Sequence, residues 1–342
     1  TSTNSREGYV EGINAANPEL TITGGSFTGG KNTVKNDDGG ILKIAGGTFS
    51  NVAQYCVMTY GNASIIGGTY KVSDSATAVI YCEGDKNEPT DLGKLEISGA
   101  IGRIILTDDA DVTLSGDVTA DIIVAKDYGG SVTLDLNGYK LTNVSSDTIA
   151  VASGAELTIK DSSNGKGTVD NVTNGKADVF NNGTVTILNG TFIRSAEADN
   201  TKESGNGNSY YNLVNHGSMT IMDATVYSTG HFSSLIENGY YDYPATDSRS
   251  GYVEGTNQAA PSLTIAGGSF SGGINTVKND DGGVLEINGG TFENVTQACV
   301  LNHNIATITG GIFDAIADDG KVYRAIINCG CDAATDIGKL TI

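Results

Sequence analysis

Tryptophan is absent, proline occurs only four times, and no apolar run comes near the ~18 residues that a membrane-spanning helix needs. Thr1 opens no basic and apolar signal sequence, so no membrane insertion is expected of the chain as it stands. Positive charge is scarce as well, with 20 Lys and Arg against 40 Asp and Glu, a formal net charge of −20. Nucleic acid and anionic membrane surfaces both need clustered basic residues, which removes them from the expected partners. Cysteine is sparse and odd in number: Cys56, Cys82, Cys299, Cys329 and Cys331. No Cys-x-x-Cys or paired histidine spacing marks a zinc site. The thiols lie in or just after apolar runs such as Tyr55-Cys56-Val57-Met58, which makes them small core residues, with disulfides inside each half of the duplication below as the alternative.

Glycine, by contrast, is abundant at 47 residues, and it keeps time. Gly24-Gly25-Ser26-Phe27, Gly46-Gly47-Thr48-Phe49 and Gly67-Gly68-Thr69-Tyr70 are spaced by 22 and then 21 residues, and the same two spacings separate Gly267, Gly289 and Gly310. These beats are nested in a larger duplication. Lys35-Asn36-Asp37-Asp38-Gly39-Gly40 returns 243 residues later as Lys278 to Gly283, inside near-copies running over 5–98 and 248–342, with 99–247 between them. A beat of this length marks a solenoid, whose repeats cannot bury their apolar faces alone and so stack. One continuous body over 1–342 is therefore expected.

Each glycine pair follows an alternating triplet, Leu20-Thr21-Ile22, Leu42-Lys43-Ile44 and Ala63-Ser64-Ile65 in the first copy, with equivalents at 263–265, 285–287 and 306–308. The same pattern recurs at 95–97, 112–114, 134–136, 157–159, 185–187, 219–221 and 340–342, which brings the count to thirteen. Alternation puts Leu and Ile on one face and polar residues on the other. Placing one such strand per coil gives an all-β, single-stranded, right-handed parallel β-helix of about 13 coils of roughly 22 residues, roughly 60 Å long at one interstrand spacing per coil. In that geometry Phe27, Phe49, Tyr70, Phe192, Phe270, Phe292 and Phe313 form an aromatic core ladder. The first glycine of each pair, such as Gly46 or Gly289, takes the left-handed or close-packed corner.

Loops escape the stacking requirement, so function is sought where the beat breaks. Three segments break it: Ile193 to Ser209, Gly239 to Pro261, and Glu83 to Asp91. The second carries Tyr240, Tyr241, Tyr243 and Tyr252, whose ring faces suit sugar stacking, with Asn238, Asp242 and Arg249 able to hydrogen-bond hydroxyls. This makes Tyr240, Tyr241, Asp242, Tyr243, Arg249 and Tyr252 the candidate ligand-binding set. Asn36-Asp37-Asp38-Gly39 and its copy suit a tight turn, and calcium is the one cofactor that the pattern leaves open. His216, His231 and His303 are scattered without partners at ligand spacing.

Catalytic sets are thin. Asp37-Asp38, Asp108-Asp109 and Asp280-Asp281, with Asn215-His216-Gly217, loosely resemble the carboxylate and His-Gly order of polygalacturonases. Adjacent carboxylates on a strand point to opposite faces, however, and hydrolysis needs two aimed at one bond. No Arg-x-Lys element follows His216, and arginine occurs only at 6, 103, 194, 249 and 324, away from any acidic nest a lyase would need. No catalytic residues are assigned.

The runs Leu134-Asp135-Leu136-Asn137-Gly138-Tyr139-Lys140-Leu141, Leu157-Thr158-Ile159-Lys160-Asp161-Ser162 and Val185-Thr186-Ile187-Leu188-Asn189-Gly190-Thr191-Phe192 resemble repeats of large adhesin-like surface proteins of gut bacteria. The scaffold they share is that of the pectate-lyase-like superfamily, here without its catalytic motifs. The resemblance implies a noncatalytic extracellular or cell-surface stalk that presents or binds ligands, glycans among them. The alternatives are a polysaccharide lyase or glycoside hydrolase working in a lateral groove, and a calcium-stabilised coat protein. The second copy stops at Leu340-Thr341-Ile342, opposite Leu95-Glu96-Ile97, so the chain is expected to be a piece of a longer array.

Overall fold

A computed structural model describes residues 17–37, 39–72, 77–84, 92–163, 165–197, 210–228, 233–240, 260–315, 325–330 and 338–342. Within these, 33 β-strands and one short 3₁₀ turn are present. Thirty strands join one sheet and three join a second, and the named strands pair in parallel throughout. The pairing is cyclic: the triplet strand of one coil bonds to that of the next, as Glu19–Ile22 does to Ile41–Ile44 and that strand to Asn62–Ile65. Two further strands in each coil do the same. The connectivity is consistent with a parallel β-helix that has three strands to a coil.

All thirteen expected triplets fall in or at the edge of strands, and their Leu and Ile side chains line a continuous core, except Leu20 and Ile342, which are exposed. At one triplet the register shifts: Leu134 of the strand Ser131–Asp135 lies opposite Val112 on one side and Ile159 on the other, so 134–136 aligns with 112–114 while 132–134 aligns with 157–159. Val132, Leu134 and Leu136 are all buried in the core, and Asn137 and Gly138 behind them are both at positive φ.

The glycine pair divides its work in a way the beat does not reveal. The second member is left-handed, with φ of 106° at Gly47 and 100° at Gly290. The first lies against the coil below, where a Cβ on Gly46 would sit 2.6 Å from the Thr23 carbonyl oxygen. The aromatic ladder is real but interrupted. Phe27, Phe49 and Tyr70 stack at 5.1 and 5.2 Å, and Phe270, Phe292 and Phe313 at 4.8 Å. Phe192 shares the column yet packs between Val169 and Val226, so it belongs to neither stack. Cys56, Cys82 and Cys299 are buried free thiols, and burial pushes them up to about 11, 12 and 12, which leaves them inert at neutral pH. Cys329 is free and exposed; Cys331 lies outside the described residues.

The third strands of five successive coils carry an inward polar column. Asn181, Asn215, Asn238, Asn279 and Asn302 each pass an Nδ2 hydrogen to the Oδ1 of the next at 2.7 Å, and Asn302 ends on Cys329 Sγ. The same amides reach backbone carbonyls at the start of the first strand one coil on, Ser218, Ser262, Val284, Ile305 and Lys339. An amide suits this place because it is donor and acceptor at once and can satisfy a copy of itself at strand spacing. Asn238→Ala should strand the Asn215 and Asn279 amides and cost ~1–3 kcal/mol, read as a lower urea midpoint at constant m-value.

Near the middle, Asp178 is fully buried, accepting the Asn171 backbone N–H at 2.8 Å and Asn212 Nδ2 at 3.0 Å. Burial holds its carboxyl well above the usual range, with the Arg194 guanidinium pulling the other way. A carboxyl raised on folding stabilises below its unfolded value and loses that contribution as pH climbs through the folded one. Asp178→Asn imitates the protonated form, and the Asn212 Oδ1, which has no hydrogen-bond partner among the described residues, can turn to meet it. The variant should therefore gain on the native chain as urea denaturation is moved from pH 4 to pH 8.

Candidate functional site

Outward residues of the third strands form one lateral face, in the register Lys35, Met58, Tyr81 at one end and Val214, Glu237, Lys278, Leu301 toward the other. Each near-copy places its Lys-Asn-Asp motif here. The two surroundings differ.

In the second copy the motif is buried. Lys278 Nζ donates to Asp280 Oδ2, with the two side chains 9% and 0% exposed. The other carboxylate oxygen of Asp280 lies 3.2 Å from His303 Nδ1. Backbone bonds fix this meeting, because Asp280 N–H donates to the Asn238 carbonyl and His303 N–H to the Asn279 carbonyl, stacking the two residues in successive coils. Glu237, fully buried, is the cross-strand partner of Lys278. One position along, Gly239 takes φ of 104°, and a Cβ there would meet the Asp280 carbonyl at 2.7 Å. That conformation lets Tyr240 fold over, its ring stacked on His216 at 4.2 Å while its backbone bridges Asp281. The Phe180 ring closes the edge of His216 at 5.1 Å.

In the first copy the same motif faces water. Lys35 Nζ sits 2.5 Å from Asp37 Oδ1, with 49% and 60% of the side chains exposed, and Tyr60 stands where the second copy has His303. Lys35 also lies 5.4 Å from the centre of the Tyr60 ring. Tyr55 stacks on Tyr81 at 5.0 Å and Tyr60 meets Tyr81 edge-on at 6.5 Å. Tyr81 donates to Glu83 Oε2 at 2.7 Å and accepts from Thr107. Burial, then the fields of Glu83 and Asp37, push the Tyr60 phenol up to about 12, so it stays a neutral hydroxyl on an apolar ring.

Of the six residues assigned to ligand binding, only Tyr240 is described; Tyr241, Asp242, Tyr243, Arg249 and Tyr252 lie outside the described residues, as do most of 193–209 and 83–91. His303 is not the isolated histidine its surroundings in the chain suggest. Its partner is one coil back, and the coil spacing is the signal that would have found it. The paired aspartates serve turns: Asp37 and Asp280 accept from Gly40 and Gly283, and the Asp108 carboxylate gathers the N–H groups of Asp127, Tyr128 and Gly129. Among the described residues no group of three or more His, Cys, Asp or Glu is placed to hold a metal ion, and no helix is long and apolar enough to cross a membrane. A shallow groove of about 260 Å³ lies elsewhere, on the first-strand face between Lys43, Ser64, Lys94, Glu96 and Asp111. No protein-family model, curated protein or solved structure matches the chain.

The two environments predict opposite sensitivities. Asp280→Ala leaves the Lys278 ammonium buried without its carboxylate and should cost ~3–5 kcal/mol. Asp37→Ala removes a solvated pair and should cost no more than ~1 kcal/mol. Equilibrium urea unfolding of the two variants side by side checks this.

Proposed function

We propose that this protein is a noncatalytic, extracellular, right-handed parallel β-helical rod of the adhesin-like kind, carried on a bacterial surface, which presents and binds glycans on the outward face of its third strands. The observation that carries the reading is the half-buried pair Tyr55 and Tyr60, backed by the buried Tyr81 and Glu83 and rimmed by Lys35 and Asp37, on a face where Tyr240 also lies. Half-buried tyrosine faces beside charged hydrogen-bonding groups are what sugar rings stack upon. The segment bearing Tyr241, Asp242, Tyr243, Arg249 and Tyr252 begins next to Tyr240 and belongs to the same proposal. Right-handedness rests on the general preference of parallel strand–crossover–strand connections. Calcium has no assigned role in this reading.

A second reading is favoured by one specific observation. Asp280 against His303 Nδ1 is the orienter–base half of a hydrolytic or eliminating site. It makes a polysaccharide lyase or glycoside hydrolase the alternative, with Asp280 turning the imidazole and His303 as the base.

One experiment separates them. The chain is passed over immobilised plant and host glycans, and both retention and newly formed reducing ends or unsaturated sugars are measured. The binding reading expects retention without product, weakened ~10-fold or more by Tyr60→Ala or Tyr241→Ala, a loss of about 1.4 kcal/mol or more. Product that disappears in His303→Ala would transfer the assignment to the enzyme.

A further inference from the structure

Resting on the glycan-binding reading above, we propose that the tyrosine patch of the first near-copy selects glycans that carry free amino groups, and that Lys35 is a built-in occupant which such an amine displaces. A cation already sits where the ligand's would. Lys35 Nζ lies 5.4 Å from the centre of the Tyr60 ring and 2.5 Å from Asp37 Oδ1, so an aromatic face and a carboxylate hold one ammonium between them. The two charged side chains are 49% and 60% exposed. An ion pair so open to water is held weakly. An ammonium brought by a ligand therefore competes with Lys35 for the same two partners, with its own sugar ring to add contact.

The surroundings favour positive charge over negative. Tyr60 meets Tyr81 edge-on and Tyr55 stacks on Tyr81, which extends the ring surface beyond a single side chain. Burial raises the Tyr55 and Tyr60 phenols, and the fields of Glu83 and Asp127 add to it on both, with that of Asp37 on Tyr60. A uronate or sulfated sugar placed here meets those carboxylates on a chain of net charge −20. A neutral sugar gains the stacking alone. A glucosamine unit gains the stacking, the attraction of its ammonium to the tyrosine face and a charge-assisted hydrogen bond to Asp37 together.

The duplication separates an exchangeable pair from a fixed one. In the second near-copy the same lysine and aspartate are 9% and 0% exposed, and His303 stands in place of Tyr60. That ammonium is sealed in, with no tyrosine face to share, so a single site per chain is expected.

The test is calorimetric titration of the chain at pH 6 with three oligosaccharides of equal length: a glucosamine oligomer, its N-acetylated counterpart and an oligogalacturonate. The glucosamine oligomer should bind ~5-fold or more tighter than the acetylated one, with the oligogalacturonate weakest. Tyr60→Leu, which stays apolar but loses the ring, and Asp37→Asn should each abolish that preference. Lys35→Gln should tighten the glucosamine oligomer ~3-fold, whereas Lys43→Gln, which breaks the equally exposed pair with Glu19 on the first-strand face, should leave it unchanged. Equal or tighter binding of the acetylated or acidic oligomer overturns the amine preference and leaves glycan binding standing. Equal gains in the two lysine variants, or none in Lys35→Gln, overturn the displacement of Lys35. Silence toward all three oligomers overturns this proposal alone if the chain is still retained on the immobilised glycans, and the glycan reading with it if it is not.

Discussion

The backbone ladder between successive coils is the constraint on which everything else depends. Each strand bonds in parallel to its counterpart one coil away, so every side chain stands roughly 4.8 Å above the residue that occupies the same place in the next coil. A side chain in this protein is therefore tested mainly against its own column. Apolar columns are tolerant, which is why Val, Leu, Ile and Phe replace one another along them. A polar column must satisfy itself, and an asparagine amide does so by repeating. The five-membered amide ladder from Asn181 to Asn302 gives way to Val151, Val124 and Leu106 in the earlier coils. Both solutions close the same corner, one by hydrogen bonds and one by packing.

That rule also accounts for the difference between the near-copies. The Lys-Asn-Asp part of the motif folds alike in both, with its asparagine inward and its lysine and first aspartate outward. What surrounds it comes from neighbouring coils, which the duplication did not keep equal. In one copy the neighbours are Tyr60 and Tyr81, and the charges stay in water. In the other they are Glu237, His303 and Tyr240 over His216, and the charges are sealed. A duplicated surface motif has become a solvent-facing aromatic patch at one site and a buried ionic cluster at the other.

Much of the fold was legible because it is periodic. The inward triplets and the glycine corners follow from alternation and spacing alone, and the thirteen-coil count followed from them. The triplet at 134–136 shows the limit. Alternation runs unbroken from Val132 to Leu136 and all three apolar residues are buried, but the two-residue shift in register between the coils on either side is decided by the neighbouring strands and cannot be read from the alternation. The candidate site was less visible. Tyr240 could be picked out by composition, but Tyr55, Tyr60 and Tyr81 look like ordinary strand residues until the coils bring them together, and His303 lies 23 residues from the aspartate it touches.

What the sequence determined by itself was the repeat: strand period, glycine corners, core polarity and an acidic exterior, because each is a local pattern that any coil must satisfy to stack. What only the tertiary structure decided was the company each outward residue keeps. Two charged groups on one strand face read the same in both copies, and whether they are solvated or enclosed depends on residues one coil away. Burial, and with it the chemistry open to Lys278, Asp280, Glu237 and His303, is a property of stacked coils rather than of any single one.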